Sequence, residues 1–263
     1  MLSTLLIYVA TGVVAGLLAG LFGVGGGMIM VPALALVLPA QGVGSAIILQ
    51  VAIATSLAVI SATSISSMYR HHQLQGILWP TFRAMAPGLA AGSVAGAFLA
   101  DQLSSRTLAQ IVGIGALLTA VQMWFDFRPR AHTPLPGPAG LSLAGGVIGV
   151  LSALIGIGGG SLTVPFLSWC SVQIRQAVGT AAACGIPIAW AGAAGFIVAG
   201  WDAPGRPPWS LGYVDLAAFA GIALASVPTA RLGASLAHRL PPRTLKRAFA
   251  VLLLLIGVKM LLG

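Results

Sequence analysis

Charged residues are scarce in this chain and acidic ones almost absent. Of 263 residues, 13 are Lys or Arg and four are Asp, with no Glu, so that 6% are charged. A soluble domain of ordinary composition carries about 25% charged residues. No charged side chain occurs between Met1 and Tyr69 or between Ala131 and Ile174, and 58% of the residues are hydrophobic. A water-soluble fold would expose more apolar surface than it tolerates, so the composition predicts a polytopic membrane protein.

Few residues could ligate a metal or act as a nucleophile or base. The two cysteines, Cys170 and Cys184, lie in apolar sequence and are too few for a disulfide framework or a thiolate metal site. No His, Cys or Asp cluster has metal-ligand spacing, and no nucleophile has a nearby base. The four Asp residues lie at or near the ends of apolar runs, which predicts no carboxylate relay inside the membrane. We therefore expect no enzyme activity, no metal and no cofactor.

The net charge of +9 would suggest nucleic acid as a partner in a soluble chain. Here the Lys and Arg residues occupy short connections between apolar runs, where they determine membrane topology. We expect the lipid bilayer and no nucleic acid as a partner. A homo-oligomer is also compatible with the sequence.

Apolar runs long enough to cross a membrane recur along the whole chain. A bilayer core of about 30 Å needs roughly 20 apolar residues in a helix. Two shorter apolar pieces, 28–38 and 161–169, each follow a glycine run, and the first would span about 16 Å as a helix, half the membrane. The pattern predicts an all-α fold with eight to ten transmembrane segments and short helices broken by glycine. The long runs are residues 2–22, 45–68, 77–100, 108–124, 140–157, 178–200, 211–230 and 248–262.

The two halves of the chain repeat one pattern. The segment Gly16–Pro32 matches Gly149–Pro165 at an offset of 133 residues, with every glycine and proline of a GxGGGxxxxP motif in register. Further along, Arg106–Leu108 matches Arg243–Leu245. We interpret the chain as one transmembrane transporter domain that consists of two structural repeats.

The distribution of Lys and Arg predicts how the repeats are oriented. The predicted units are repeat one at 1–126, a linker at 127–138 and repeat two at 139–263. If each half crosses the membrane an odd number of times, ten basic residues lie on one side and three on the other; an even number leaves seven and six. Because short-loop Lys and Arg mark the cytoplasm, we predict inverted repeats with the linker inside and both termini outside.

The glycine runs are the strongest candidates for a binding site. Consecutive glycines break a helix, and a break inside the membrane is tolerated only where it is buried in protein or lines a wet cavity. The short helix that follows begins with unpaired N–H groups and the positive end of its dipole, which together bind anions. Interrupted helices in two inverted halves are typical of a transporter's central site. The alternative is close helix packing, which we predict for Gly12, Gly16, Gly20, Gly145 and Gly149.

The duplicated GxGGGxxxxP motif resembles the TauE/SafE sulfite exporter family of bacterial inner-membrane transporters. The resemblance covers essentially the whole chain and includes Ala54-Thr55-Ser56 in the first half and Gly179-Thr180-Ala181 in the second. It implies export of sulfite, sulfoacetate or a related small sulfur-containing anion. The first half has Ala-Thr-Ser where the second has Gly-Thr, so the two halves need not contribute equally.

These observations together predict a secondary transporter that works by alternating access. Backbone amides of both runs would hold the anion from opposite sides, hydroxyl groups would shape the pocket, and a proline would set the geometry of each short helix. Uptake, another anion such as a carboxylate, and a non-transporting scaffold subunit are the alternatives. The predicted substrate-binding residues are Gly25, Gly26, Gly27, Met28, Pro32, Thr55, Ser56, Gly158, Gly159, Gly160, Ser161, Pro165 and Thr180.

The inverted arrangement predicts the sidedness of two positions. Reporter fusions at Arg130 and at Gly263 should report opposite sides, the cytoplasm for Arg130 and the periplasm for Gly263, because the basic residues collect on the linker side. The same side for both fusions would contradict the inverted repeats.

Overall fold

A computed structural model describes residues 2–22, 27–125, 133–237 and 242–262, and it confirms the all-α fold. Two short 3₁₀ helices, Leu38–Gln41 and Ser45–Ile47, precede α3, and two-residue strands β1 (Ser210–Leu211) and β2 (Val214–Asp215) pair antiparallel before α9. The α-helices are α1 (Leu2–Phe22), α2 (Gly27–Val37), α3 (Ile48–Gln73), α4 (Trp79–Gln102), α5 (Ser105–Trp124), α6 (Pro138–Ile155), α7 (Gly160–Trp169), α8 (Ile174–Ala199), α9 (Leu216–Ala237) and α10 (Pro242–Leu262).

Several of these helices are long and apolar enough to cross a membrane, so the protein is a multi-pass membrane protein. In the described part of the chain five helices meet both conditions: α3 with the 3₁₀ turn before it, α4, α5, α6 and α8. The helices α1, α9 and α10 are 21, 22 and 21 residues long, and α7 has only 10. The total of eight to ten spans stays a prediction. The predicted linker includes residues 127–132, which lie outside the described residues, and α6 begins at Pro138.

Helix order and helix pairing are the same in both halves. Each half has a long helix, a glycine run, a short helix and three long helices. The fourth helix of each half packs along the first helix of the other half: α4 on α6, and α9 on α1. The helices α3 and α8 pack on each other, and so do α5 and α10. A two-fold axis would superpose the α4–α6 pair on the α9–α1 pair and exchange the partners within the α3–α8 and α5–α10 pairs. The orientation of the two halves across the membrane stays a prediction.

Each short helix runs back along the helix before it, and the two form a helical hairpin whose tip lies where the short helix begins. In the first half the Tyr8 hydroxyl, near the start of α1, hydrogen-bonds to the Gln41 side chain just after α2. In the second half the Ser171 hydroxyl, just after α7, donates to the Thr133 carbonyl before α6 at 3.2 Å. The two tips meet, because a Cβ added to Gly27 would collide with the Gly156 carbonyl oxygen.

Glycines outside the runs bring helices into close contact, as the sequence predicted. A Cβ on Gly12 would lie 2.8 Å from the Ile222 carbonyl oxygen of α9, and a Cβ on Gly16 would lie 2.5 Å from the Ser226 carbonyl oxygen. Gly145 and Gly149 press on α4 in the same way, so packing is confirmed for these four. The surroundings of Gly20 lie outside what the structure describes.

Two adjacent glycines of α6 provide a matched test of this packing. A Cβ at Gly145 would lie 2.6 Å from the Met85 carbonyl oxygen, whereas a Cβ at Gly146 would have Gly88 as its nearest neighbour, at 3.9 Å. Gly145→Ala should lower the free energy of unfolding by about 1–3 kcal/mol through overpacking. Gly146→Ala should leave it unchanged or raise it by up to about 1 kcal/mol through helix propensity. Thermal unfolding in detergent measures both, and equal effects would contradict the packing role.

Candidate anion site at the glycine breaks

The second glycine run ends α6 and begins α7 within the buried interior. Gly156 has a φ of +74°, a left-handed conformation that glycine adopts at no steric cost. Its N–H and the N–H of Ile157 both donate to the Ser152 carbonyl, at 2.9 and 3.0 Å. Residues 152–159 are all buried. The chain therefore leaves α6 and enters α7 inside protein, which is where a break in a membrane helix is tolerated.

The start of α7 presents backbone donors without acceptors. The Thr163 N–H donates to the Gly159 carbonyl at 3.0 Å, which begins the helix. The N–H groups of residues 158–162 have no acceptor among the described residues. The N-terminus of a helix also carries about half a positive charge. This break is thus a buried set of donors in a positive field.

Unpartnered hydroxyl groups flank the same break. The hydroxyl oxygens of Ser152, Ser161 and Thr163 are buried and have no hydrogen-bond partner in the described structure. Ser152 lies in the last turn of α6, and Ser161 and Thr163 lie in the first turn of α7. Buried polar groups without a partner are rare in proteins and need an explanation, such as an unseen ion or water. Ser161 was predicted for the site, whereas Ser152 and Thr163 were not, although both lie within four residues of the run.

The break is enclosed by α2, α3 and α8. The Ser56 hydroxyl of α3 donates to the Gly156 carbonyl at 3.0 Å, so Ser56 satisfies a buried carbonyl at the C-terminal end of α6. A Cβ added to Gly156 would contact Val31 of α2 and Ile53 of α3. No charged residue occurs in α2, α6 or α7, and α3 has none before Arg70. Any anion held here would be held by uncharged donors.

The threonines Thr55 and Thr180 hold the starts of two other helices. The Thr55 hydroxyl accepts a hydrogen bond from the Asp215 N–H, immediately before α9, at 3.0 Å. The Thr180 hydroxyl accepts one from the Leu78 N–H, immediately before α4, at 2.9 Å. Both threonines are fully buried, and neither hydroxyl proton has an acceptor among the described residues. Each threonine thus positions the start of the fourth helix of the other half. The proton of its own hydroxyl stays available for donation.

The first glycine run is described only from Gly27 onwards. Gly25 and Gly26 lie outside the described residues, so their predicted role stays a prediction. Gly27 and Met28 begin α2 and are buried, and Pro32 lies buried inside that helix. At the positions where α7 has Ser161 and Thr163, α2 has Met28 and Met30. The polar groups of this region therefore come mainly from the second half.

The glycines of the second run differ in their surroundings. A Cβ on Gly159 would lie 2.7 Å from the Ala181 carbonyl oxygen and 2.9 Å from the Gly185 nitrogen, so Gly159 lets the break approach the backbone of α8. A Cβ on Gly158 would meet only the Ile60 side chain, at 3.2 Å. Gly160 begins α7, and Pro165, which lacks an N–H, lies half-buried inside it. Close packing and free donors thus coincide at this run.

Comparison with known proteins identifies the family. The model of the family "Sulfite exporter TauE/SafE" matches residues 8–260. This chain belongs to the TauE/SafE sulfite exporter family. The expected resemblance is therefore confirmed, and the protein is a membrane transporter of TauE/SafE type.

Curated relatives of this TauE/SafE protein are also named as transporters. A "Probable membrane transporter protein" of Haemophilus influenzae is 37% identical and covers 100% of both chains. One from Methanocaldococcus jannaschii is 26% identical over 97% of this chain and 94% of its own length. YjnA of Bacillus subtilis is 26% identical over 95% and 97%. These names agree with a protein that is not an enzyme. No solved structure is a significant match.

One feature of this TauE/SafE protein was not predicted: Asp215 is buried. It lies at a helix end, as expected, but only 2% of its surface is exposed. Its carboxylate accepts hydrogen bonds from the N–H groups of Ala217 and Ala218, which caps α9, and from the Tyr8 hydroxyl at 2.7 Å. The other described acidic residues, Asp101 and Asp202, are exposed. An Asp just before an apolar run is the usual sign of a helix cap, and that sign does not reveal burial.

Proposed function

We propose that this protein is a secondary transporter that exports a small sulfur-containing oxyanion, such as sulfite or sulfoacetate, across the bacterial inner membrane. The observation that carries the proposal is the set of unpartnered donors at the α6–α7 break. Family membership supports the same class of substrate. A site of neutral donors suits a small anion, because donors at a helix N-terminus stabilise negative charge without a counter-ion.

The proposed site consists of backbone and hydroxyl donors. The N–H groups of residues 158–162 and the hydroxyls of Ser161 and Thr163 would replace the water that the anion loses. Each hydrogen bond to a charged group contributes about 1.5–3 kcal/mol. Three or four such bonds would give micromolar to millimolar affinity after the cost of association, which a transporter needs if it is to release its substrate.

The first half would complete the site from the opposite side. Gly27 already touches Gly156, so donors of Gly25 and Gly26 would lie near the same anion. Thr55 and Thr180 each keep a hydroxyl proton to donate, and we propose that they contribute donors to the same site. Ser56 is better placed to hold the Gly156 carbonyl than to contact the anion, because its proton is already donated there.

Alternating access would arise from movement of one hairpin relative to the other. The α1–α2 hairpin packs on α9, and the α6–α7 hairpin packs on α4, whereas α3 and α8 pack on each other between them. Because the two tips meet at the proposed site, displacing one hairpin would open the site to one side of the membrane. Inverted repeats would let the other hairpin open it to the opposite side.

The substrate class can be tested in proteoliposomes. We expect counterflow of sulfite or sulfoacetate, and weaker transport of sulfate and of a carboxylate of similar size. Protein-free liposomes provide the control. Preferential transport of the carboxylate would overturn the sulfur-oxyanion assignment, and no transport of any anion in the panel would favour a scaffold role.

Two serines of α7 test the site itself. Ser161 and Ser168 both have buried, unpartnered hydroxyls, but Ser161 lies in the first turn of the helix and Ser168 in the last. Ser161→Ala should weaken sulfite binding about 10- to 100-fold, by the loss of one charge-assisted hydrogen bond. Ser168→Ala should change it less than twofold. Serines are preferable to Gly159 here, since any side chain at Gly159 disturbs α8.

Calorimetric titration of the purified protein in detergent measures both affinities. An unchanged affinity in folded Ser161→Ala protein would place the anion elsewhere.

A further inference from the structure

We propose that Ile60 of α3 sets the size of the anion that the site admits, so that the site favours a compact oxyanion such as sulfite over a sulfonate with a carbon chain. This proposal rests on the proposed function, because it concerns the same site. Ile60 lies in the middle of α3, and only 2% of its surface is exposed. An isoleucine in an apolar run gives no sign of function in the sequence, and its role follows from its contacts.

The Ile60 side chain lies between the two glycine breaks. Its Cγ2 atom would lie 3.2 Å from a Cβ added to Gly158, in the second run, and its Cδ1 atom 3.0 Å from a Cβ added to Gly27, at the start of α2. The same Cβ on Gly27 would collide with the Gly156 carbonyl oxygen. One methyl group of Ile60 thus faces each half of the proposed site, at the point where the two hairpin tips meet.

The break has room beside Gly158 but not beside Gly156 or Gly159. A Cβ on Gly156 would lie 2.5 Å from the nearest neighbouring atom, and a Cβ on Gly159 would lie 2.7 Å from its own. A Cβ on Gly158 has one described atom within 4 Å, and that atom belongs to Ile60. Gly158 is also the first residue of the run whose N–H has no acceptor among the described residues. The space at the free donors is therefore bounded by Ile60.

Buried hydroxyl groups mark the surroundings of this space as polar. Ser152 and Thr163 are fully buried, and neither hydroxyl has a hydrogen-bond partner in the described structure. Buried space next to unpaired polar groups holds water or a ligand in proteins. Ile60 has no polar side-chain atom, so it can restrict such a ligand only through its volume.

The equivalent position in the second half is a glycine. Thr55 and Thr180 make equivalent hydrogen bonds to the residues before α9 and α4. Five residues further along each helix, α3 has Ile60 and α8 has Gly185. A Cβ on Gly185 would lie 3.7 Å from the Gly159 nitrogen, a distance of ordinary contact. On the α8 side the donors thus face backbone, whereas on the α3 side they face a branched side chain that a substitution can shorten.

Shortening Ile60 tests the proposal with two sulfonates of equal charge. Methanesulfonate and propane-1-sulfonate have the same head group and differ by two methylene groups. We expect the wild type to bind methanesulfonate and sulfite more tightly than propane-1-sulfonate. Ile60→Ala removes three carbon atoms and should raise the affinity for propane-1-sulfonate relative to methanesulfonate about 10- to 20-fold, as burial of two methylene groups predicts. Ile60→Val removes one carbon atom and should raise this ratio about fourfold.

Ile53→Ala is the matched control. Ile53 and Ile60 lie two helical turns apart on one face of α3, both are buried, and the alanine substitution removes the same three carbon atoms from each. A Cβ on Gly156 would contact Ile53, and the Gly156 carbonyl is already satisfied by Ser56. Ile53 therefore lies on the acceptor side of the break. Ile53→Ala should lower the stability of the protein as Ile60→Ala does, but it should leave the ratio of the two affinities unchanged.

Calorimetric titration of the purified, folded proteins in detergent measures these affinities. An unchanged ratio in folded Ile60→Ala and Ile60→Val, or an equal rise in Ile53→Ala, would overturn the role of Ile60 and leave the anion site in place. A wild type that binds propane-1-sulfonate as tightly as methanesulfonate would overturn it as well. If Ile60→Ala does not fold, Ile60→Val decides. If the wild type binds neither sulfite nor a sulfonate, the proposed function itself fails, and the role of Ile60 fails with it.

Discussion

The structure depends on one constraint: backbone groups inside a membrane must find partners within the protein. An unsatisfied backbone group in lipid costs several kcal/mol, and this chain interrupts a helix within the buried interior at residues 156–159. The acceptor side is satisfied by Ser56, which donates to the Gly156 carbonyl. The donor side, residues 158–162, is left without acceptors in the described chain. Burial of the break between α2, α3 and α8 follows from the same constraint, and the proposed binding of an anion at the break would satisfy the donors that remain.

Close packing makes this burial possible. Glycines on α1, α4 and α6 let helix backbones approach so closely that an added Cβ would overlap the neighbouring backbone. In a membrane such contacts replace the hydrophobic effect as the source of helix association. Gly159 shows why packing and binding were hard to separate in advance: the residue that lets α7 approach α8 is also part of the donor cluster.

Much of this architecture could be predicted from residue patterns. The glycine runs, their proline partners and the long apolar stretches marked the breaks and the helices, because both depend on local propensity. The roles of Thr55, Thr180 and Ser56 could not be predicted, since their hydrogen-bond partners lie 100 or more residues away in the chain. The burial of Asp215 was missed for a similar reason: its position before an apolar run is local, whereas its contact with Tyr8 spans 207 residues.

The two halves share a framework but differ in chemistry. Thr55 and Thr180 make equivalent bonds to the residues before α9 and α4, so this framework contact recurs in both halves. The residue that each threonine holds is different: Leu78 in one case and a buried carboxylate, Asp215, in the other. Similarly, α7 begins with Ser161 and Thr163 where α2 has methionines. The hydroxyls at the start of a short helix thus come from the second hairpin, whereas the first hairpin is held through the hydrogen bonds of Tyr8 to Gln41 and Asp215.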